Sequence, residues 1–417
     1  MNGQVHFSAL GEVQSVLIGQ SVFLVADSVA YAASGAEAIL RPLLADRTVE
    51  IFDSFEPNPK VDEVEACAAA LRKSKAETIL AVGGGTAMDV AKLANWLTAQ
   101  NAGKEEILRG VWESPQTPLS LIAVPTTAGT GSEATHFAVV YVDGHKHSVA
   151  HPLMRPSVAV VDGSLTASSP PMLTAQSGLD ALCQAIESIW AIGANETSLP
   201  FAREALGLAW ENLKAAVNAP TPAVRDAMAR AAHLAGQAIN LTKTTVPHAL
   251  SYTITSAHGL PHGAAVALTL GTALEFNGKV RETNCLDSRG SVAVRERMEI
   301  IYSAMGARDA AEAAGRFHEL VKAIGCPTSL AEAGITEAGQ VKRICATVNA
   351  ERLANNPRLL TPEDLRGLLQ QLLPAKCRQH FLVSGSSGDL FVEEFPAAFE
   401  EVVAGEFAFV AFFHEDF

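Results

Sequence analysis

The stretch ILAVGGGTAMDVAKLANW, residues 79–96, indicates the fold of this 417-residue chain. Its first four residues are apolar and are typical of a buried strand, and the residues from Ala87 onward are typical of a helix. Glycines let a ligand approach the backbone closely, and the free N–H groups at the start of a helix attract phosphate. We therefore predict a phosphate cradle at the end of this strand, formed by Gly83, Gly84, Gly85 and Thr86.

Short apolar runs alternate with helical stretches on both sides of this element. Residues 21–27 and 48–53 are further candidate strands, and residues 61–74 have the pattern of a helix. Such alternation indicates parallel strands joined by crossover helices. The sequence therefore predicts an N-terminal α/β domain over residues 1–164.

From about Leu165 the strand signal fades, and long Ala/Leu-rich segments with helical spacing follow. This pattern predicts an all-α C-terminal domain over residues 165–374. We find neither an internal repeat nor a low-complexity linker between the two parts, so we expect them to pack closely around a cleft. The remaining residues, 375–417, contain nine of the seventeen phenylalanines and form a Phe-rich acidic extension. We interpret it as a cover for the core or a subunit interface, with a docking segment for a partner as the alternative.

Composition restricts the class of protein. The chain is 48% hydrophobic and has a formal net charge of −14, which repels nucleic acids and anionic membranes. No leader pattern and no run of about 18 apolar residues occurs. The six cysteines lack CxxC spacing, so we expect them to be reduced. We predict a cytoplasmic enzyme with a small-molecule substrate and with neither a nucleic-acid nor a membrane partner.

Four side chains are candidate metal ligands. Asp180 and Gln184 are four residues apart in the helical pattern GLDALCQAIE, which places them on one helix face. His248 and His262 lie fourteen residues apart in the stretch HALSYTITSAHGLPH. A single histidine or aspartate in an apolar helix is usually a satisfied core group, but the joint pattern favours a shared site. We predict that all four bind one divalent metal ion.

Several residues are candidate contacts for a nucleotide. Asp27 ends an apolar strand, where its carboxylate can bind an adenosine ribose or cap a helix; the first role would favour NAD(H) over NADP(H). Asp89 and Lys92 lie three residues apart just beyond the cradle. The segment VPTTAGTGSEAT, residues 124–135, is either an ordinary turn or a ligand-binding loop. The other predicted cofactor contacts are Thr126, Thr127, Thr130 and Lys146, the last of which is, with Arg155, also a candidate for binding an anionic group.

The motifs GGGTAMDVAK, PTTAGTGSEAT, DALCQAIE, AGQAIN and HALSY…GLPHG together resemble the iron-containing (group III) alcohol dehydrogenase family. The resemblance covers about four fifths of the chain and excludes the Phe-rich extension. It implies the fold of that family and of dehydroquinate synthase, in which the N-terminal α/β domain is Rossmann-like and the C-terminal domain is helical. It further implies a nicotinamide cofactor and one catalytic divalent metal, with Fe²⁺ first and Mn²⁺ or Zn²⁺ as alternatives. It also implies a homodimer or a higher homo-oligomer.

The resemblance can be carried over residue by residue. Asp180, His248 and His262 match family metal-ligand positions, whereas Gln184 replaces the usual histidine. An amide oxygen is a weaker donor than an imidazole nitrogen, so metal affinity is expected to fall. Tyr252 occupies a position that often holds a second histidine near the nicotinamide, and any proton relay there must differ. We predict catalytic roles for His262, Tyr252 and Lys243.

The segments QAIESIW, KTTVPHALSY and GLPHGAAVALTL together resemble the branch that includes phosphonoacetaldehyde reductases. Lys243, Thr244 and Thr245 precede His248 and are expected to hold an anionic head group, although a solvated loop lysine is the alternative. The predicted reaction is hydride transfer between a nicotinamide and a small aldehyde or primary alcohol. Two other functions remain: a metal-weak relative resembling maleylacetate reductase or dehydroquinate synthase, and a non-catalytic subunit that assembles through its tail.

Overall fold

A parallel β-sheet flanked by helices makes up the N-terminal half of this computed structural model, which describes residues 4–110, 112, 116–143, 145–348 and 350–373. The Phe-rich extension lies outside the described residues, and so do both interpretations of it. The sheet order is β1-β8-β5-β4-β2-β3, and all its pairings are parallel. Its strands are β1 (Gln4–His6), β2 (Ser21–Ala26), β3 (Thr48–Phe52), β4 (Thr78–Gly83), β5 (Ser120–Pro125) and β8 (Val158–Val160).

Central strands of this sheet are buried on both faces, which explains why they are continuously apolar in sequence. In β4, Ile79 and Ala81 pack on one side, whereas Leu80 and Val82 pack on the other. The flanking helices are α1 (Ser28–Ala33), α2 (Ala36–Leu43), α3 (Val61–Ser74), α4 (Gly85–Gln100) and α5 (Lys104–Arg109). The phosphate cradle lies at the carboxyl end of β4, where α/β sheets bind ligands.

An antiparallel hairpin, which the sequence patterns did not predict, follows β5. It consists of β6 (Phe137–Val142) and β7 (His145–Ala150) and forms a separate two-stranded sheet. The backbone N–H of Val139 donates to Asp89 of α4, which attaches the hairpin to the nucleotide-binding half. Lys146 therefore lies on a strand that extends from the α/β half.

The C-terminal half is helical, as predicted, and the fold class is confirmed. Its longest helices surround one core in which α10 is buried on nearly all sides, as expected for a helix that is apolar all round. Within the described part of the chain, every helix is too short or too polar to cross a membrane. The helices are α6 (Pro171–Trp190), α7 (Ser198–Asn218), α8 (Pro222–Thr242), α9 (Val246–His258), α10 (His262–Asn277), α11 (Gly290–Ala304), α12 (Ala310–Ala323), α13 (Ala338–Ala346), α14 (Ala350–Ala354) and α15 (Pro362–Gln370).

The two halves meet through glycine backbones. Gly131, in the segment 124–135, has a φ of +62° and contacts Gly236 of α8. A Cβ atom on Gly236 would lie 2.5 Å from the carbonyl oxygen of Gly131, which is closer than real Cβ contacts. Only glycine at both positions therefore allows α8 to approach the loop beside the phosphate cradle.

We expect Gly236→Ala to lower the free energy of unfolding by about 1–3 kcal/mol, because the added methyl group would push α8 away from the Gly131 turn. The matched control is Gly207→Ala in α7, where a Cβ meets nothing within 4 Å. That variant should be more stable by about 0.5–1 kcal/mol, since alanine favours helix. Denaturant unfolding of both variants measures the difference, and equal effects of the two substitutions would contradict the packing argument.

Candidate functional site

Three side chains of metal-binding type converge at the base of the cleft between the halves. Asp180 lies in the middle of α6, His248 in the first turn of α9 and His262 at the start of α10. Their ligand atoms all lie within 4.8 Å of one another. The Nε2 atom of His248 is 3.3 Å from Asp180 Oδ1. Three of the four predicted ligands therefore face one point.

Close packing of α10 against α6 sets this geometry. Gly263 directly follows His262, and a Cβ atom there would collide with the backbone carbonyl of Gln176 and lie 3.1 Å from the Cβ of Asp180. Glycine at this position lets the two helices approach until Asp180 and His262 share one site.

Gln184, the fourth predicted ligand, lies one turn after Asp180 and is buried. Its Nε2 atom donates to the carbonyl oxygen of Thr130 at 3.3 Å, which fixes the orientation of the amide. Its Oε1 atom is buried without a hydrogen-bond partner among the described residues. Buried polar atoms nearly always have a partner, so this oxygen in the cleft wall fits a cation that it would help to bind.

Glu187 supports the cluster, and the sequence analysis missed it. It is fully buried, and its carboxylate is hydrogen-bonded to Nδ1 of His248. The backbone N–H and the hydroxyl of Thr245 donate to Glu187 Oε1 at 2.8 and 2.9 Å. Because Nδ1 is held by Glu187, Nε2 faces Asp180. The missed signal was spacing, since Glu187 is seven residues after Asp180 and therefore on the same face of α6.

The electrostatics of the cluster favour a cation. Burial lowers the pKa of His248, but the carboxylates of Glu187 and Asp180 outweigh it and raise that pKa to about 10. Burial, Lys146 and His248 lower the pKa of His262 to about 3, so its imidazole is neutral. Burial raises the pKa of Asp180, but hydrogen bonding and attraction from the histidines lower it overall. One carboxylate, two imidazoles and an amide oxygen form a donor set that suits Fe²⁺, Mn²⁺ or Zn²⁺.

The phosphate cradle is packed against two of the predicted threonines. A Cβ on Gly84 would lie 3.4 Å from Thr127 Oγ1, and one on Gly85 would lie 2.7 Å from Thr130 Cγ2. Helix α4 begins at Gly85, two residues earlier than predicted, so its N-terminal end faces the cleft together with Thr86. These glycines let the segment 124–135 pack directly against the start of α4.

Other predicted cofactor contacts have structural partners. Asp27 lies beside Gly83 and caps α1, because its Oδ1 accepts from the N–H of Ala30 at 2.8 Å. Asp89 reaches the edge of the cleft, but its oxygens accept from Ser132 Oγ at 2.6 Å and from the hairpin backbone. Thr126 is buried and does not line the cleft, and its contact with the cofactor stays a prediction.

Thr245 also differs from the expectation that it holds a substrate head group. It is fully buried, and its hydroxyl accepts from the indole N–H of Trp190 at 2.8 Å while donating to Glu187. Lys243 does line the cleft, but it forms an ion pair with Glu351. Thr244 lines the cleft as well. Of Lys243, Thr244 and Thr245, only Thr245 therefore has an internal structural role.

A cleft of about 300 Å³ extends from the cluster toward the hairpin and is lined by both halves. The ring of Tyr252 stacks beside that of His262, with centroids 6.3 Å apart. Lys146 Nζ lies 3.8 Å from the centroid of the Tyr252 ring, and Arg352 lines the same cleft. Burial raises the pKa of Tyr252, but Lys146, Arg352 and His248 lower it overall. The sequence analysis missed Arg352 and also Asn58, which lines the same cleft.

Comparison with known proteins places this geometry in context. The family profile described as iron-containing alcohol dehydrogenase matches residues 2–163, and the one described as the C-terminal part of the Fe-containing alcohol dehydrogenase family matches residues 174–373. Phosphonoacetaldehyde reductase of Streptomyces viridochromogenes is 37% identical, over 79% of this chain and 83% of its own. A probable alcohol dehydrogenase of Escherichia coli, EutG, is 31% identical over 83% of this chain and 86% of its own length.

Solved structures agree with these relatives. The crystal structure of sulfoacetaldehyde reductase from Bifidobacterium kashiwanohense in complex with NAD⁺ superposes with a TM-score of 0.80 at 32% identity. The similarity covers 89% of this chain and 97% of that one. A 1,3-propanediol oxidoreductase superposes with a TM-score of 0.77 at 27% identity, over 89% of this chain and 97% of its own.

Proposed function

We propose that this chain, which belongs to the iron-containing alcohol dehydrogenase family, reduces a short aldehyde whose far end carries a phosphonate or sulfonate group. Family membership makes it an oxidoreductase of aldehydes and alcohols that uses a nicotinamide cofactor and a metal ion. The predicted reaction type is thereby confirmed. The substrate class, the residues of the site, the native ion and the cofactor preference are proposals.

One observation carries the proposed substrate class: cationic side chains line the same cleft as the cluster of Asp180, His248 and His262. They are Lys146, Lys243 and Arg352. A phosphonate or sulfonate group offers several oxygens to such donors, and charge-assisted hydrogen bonds are about twice as strong as neutral ones. The names of two relatives, a phosphonoacetaldehyde reductase and a sulfoacetaldehyde reductase, point to the same class of substrate.

We propose that Asp180, Gln184, His248 and His262 hold one Fe²⁺ ion. A divalent ion there supplies Lewis acidity to a carbonyl oxygen. Glu187 holds Nδ1 of His248 and so directs Nε2 at the site, where the ion would replace the proton that the raised pKa of His248 keeps on the ring. The low pKa of His262 keeps its imidazole neutral and available as a ligand. The Gln184 amide contributes a neutral oxygen in place of the histidine usual in the family.

On the nucleotide side, we propose that the phosphate cradle binds the pyrophosphate of NAD(H) at the start of α4. Thr127 and Thr130 border the cradle and can donate hydrogen bonds. Asp27, beside Gly83, accepts the cap hydrogen bond of α1 with Oδ1, and we propose that its other oxygen binds the adenosine ribose. A carboxylate at this point repels a 2′-phosphate, which favours NAD(H) over NADP(H).

We expect Glu187→Gln to weaken binding of the metal about 10–100-fold, because the residue that orients a ligating histidine normally contributes that much. Metal content after dialysis against a graded chelator series measures the loss. NADH binding should not change, since the cradle is separate from Glu187. Glu211→Gln, on the exposed face of α7, is the control.

The substitution Gln184→His should have the opposite effect and tighten metal binding, because imidazole is the stronger donor. Tighter binding in Gln184→His together with weaker binding in Glu187→Gln would support the ligand set. Metal content that is the same in both variants and in the wild type would refute it.

For the cofactor, we expect Asp27→Ser to raise the ratio of kcat/KM with NADPH to that with NADH about tenfold, which corresponds to about 1.4 kcal/mol. Serine is a good N-cap residue, so α1 keeps its cap while the negative charge is lost. Steady-state kinetics with both cofactors provide the measurement. An unchanged ratio would assign Asp27 to capping alone.

The wild-type enzyme should reduce a two-carbon phosphonate-bearing aldehyde with a kcat/KM at least about tenfold above that for propanal, since one charge-assisted contact accounts for such a factor. The difference should shrink as salt is added, because screening weakens attraction between charges. The assay uses iron-loaded protein with NADH at low and high ionic strength. Faster turnover of propanal would remove the proposed substrate class.

A further inference from the structure

We propose that Tyr252 positions Lys146 and Arg352 as a two-cation seat for the anionic head group, so that this tyrosine determines substrate specificity. The inference rests on the proposed substrate class and deepens it. It assigns head-group recognition to side chains from three separate elements, β7, α9 and α14. Lys243, which the sequence favoured for this role, lies outside the seat.

The seat is built around the Tyr252 ring. The ammonium group of Lys146 lies 3.8 Å from the ring centroid, within the range of a cation–π contact. Arg352 of α14 lines the same cleft, and its positive charge helps to lower the pKa of the Tyr252 phenol. One aromatic ring therefore holds a cation over its face, with a second cation in the same cleft.

Lys146 has donors available for an anion, and Arg352 adds a positive charge beside it. The described residues contain no carboxylate within salt-bridge distance of Lys146, and its contact with the ring face leaves N–H donors available. Arg352 is only 9% exposed, so water screens its charge weakly. The Lys243 side chain, in contrast, is 55% exposed and forms an ion pair with Glu351, so it offers less positive charge to an anion.

Tyrosine is suited to this position for a geometric reason. A histidine here, as is usual in the family, has no exocyclic hydroxyl with which to engage Arg352. The ring of Tyr252 stacks beside His262 at an interplanar angle of 25°, so the two cations lie one ring away from the metal-ligand cluster. An aldehyde that reaches both places has a carbonyl separated from its anionic group by a short carbon chain. The seat thus selects for chain length as well as for charge.

The experiment compares Lys146→Gln, Tyr252→Phe and Tyr252→Leu in the full-length, iron-loaded enzyme. The substrates are the two-carbon phosphonate-bearing aldehyde and propanal. We expect Lys146→Gln to raise KM for the phosphonate-bearing aldehyde about tenfold or more, and to do so far more than for propanal. Tyr252→Phe keeps the ring face and loses the hydroxyl, so its effect should be smaller than that of Tyr252→Leu, which loses both.

Lys104→Gln is the matched control. Lys104 pairs with Asp143 in the turn of the same hairpin at 3.0 Å but does not line the cleft, so the same substitution there should leave discrimination between the two aldehydes at the wild-type value. Circular dichroism identifies any variant that fails to fold, and NADH binding of Lys146→Gln reports separately on the predicted cofactor contact of Lys146. Lys146→Gln, on the hairpin and away from the helical core, keeps the test informative if the Tyr252 variants do not fold.

Ethylphosphonate, which has no carbonyl group, tests the seat without turnover. Calorimetric titration should show binding to the wild type that weakens about tenfold in Lys146→Gln and in Tyr252→Leu. If the wild type prefers the anionic aldehyde and these variants keep that preference, the seat is refuted while the proposed function stands. If the wild type shows no preference, the substrate class fails, and ethylphosphonate binding then decides on the seat alone.

Discussion

The buried contact between Glu187 and His248 is the interaction on which the site depends. The side chain of Glu187 extends from α6 to the N-terminal end of α9. There its carboxylate accepts hydrogen bonds from the backbone N–H and the hydroxyl of Thr245 as well as from the imidazole of His248. An anion at a helix N-terminus is stabilised by the helix dipole and by free N–H groups. The same carboxylate thus caps the N-terminal end of α9, orients His248 and joins α9 to α6.

Helix α6 sets the spacing between three residues of the site. Asp180, Gln184 and Glu187 occupy one face of it at spacings of four and three residues, and each meets a different part of the protein. Asp180 faces the two histidines, Gln184 reaches the Thr130 loop of the α/β half, and Glu187 holds the start of α9. A shift of this helix would therefore disturb the metal-ligand cluster and the contact between the two halves together.

Both departures from the family pattern occur in the cleft. At position 184, the glutamine amide donates its N–H to the carbonyl oxygen of Thr130, and its oxygen faces the cleft. An imidazole cannot offer an N–H donor and an oxygen ligand together. At position 252, tyrosine provides a ring face and a phenol group beside two cations. The metal centre and the proposed head-group seat meet at His262, which contacts both. Position 184 belongs to the proposed metal site and position 252 to the proposed head-group seat, whereas Asp180, His248 and His262 match the metal-ligand positions of the family.

Local patterns in the sequence predicted strands β2, β3 and β4 and the long helices, because period and glycine placement report on backbone structure over a few residues. The joint spacing also pointed to Asp180, His248 and His262, which the fold brings together. The role of Glu187, the inward orientation of Thr245 and the arrival of Lys146 and Arg352 at Tyr252 were decided only by tertiary structure. Arg352 is one hundred residues from Tyr252 in the chain, and Lys146 lies on β7, whose sequence HKHSVA has only a weak strand pattern. Such contacts depend on how helices and strands pack against one another, and no local period in the sequence records that.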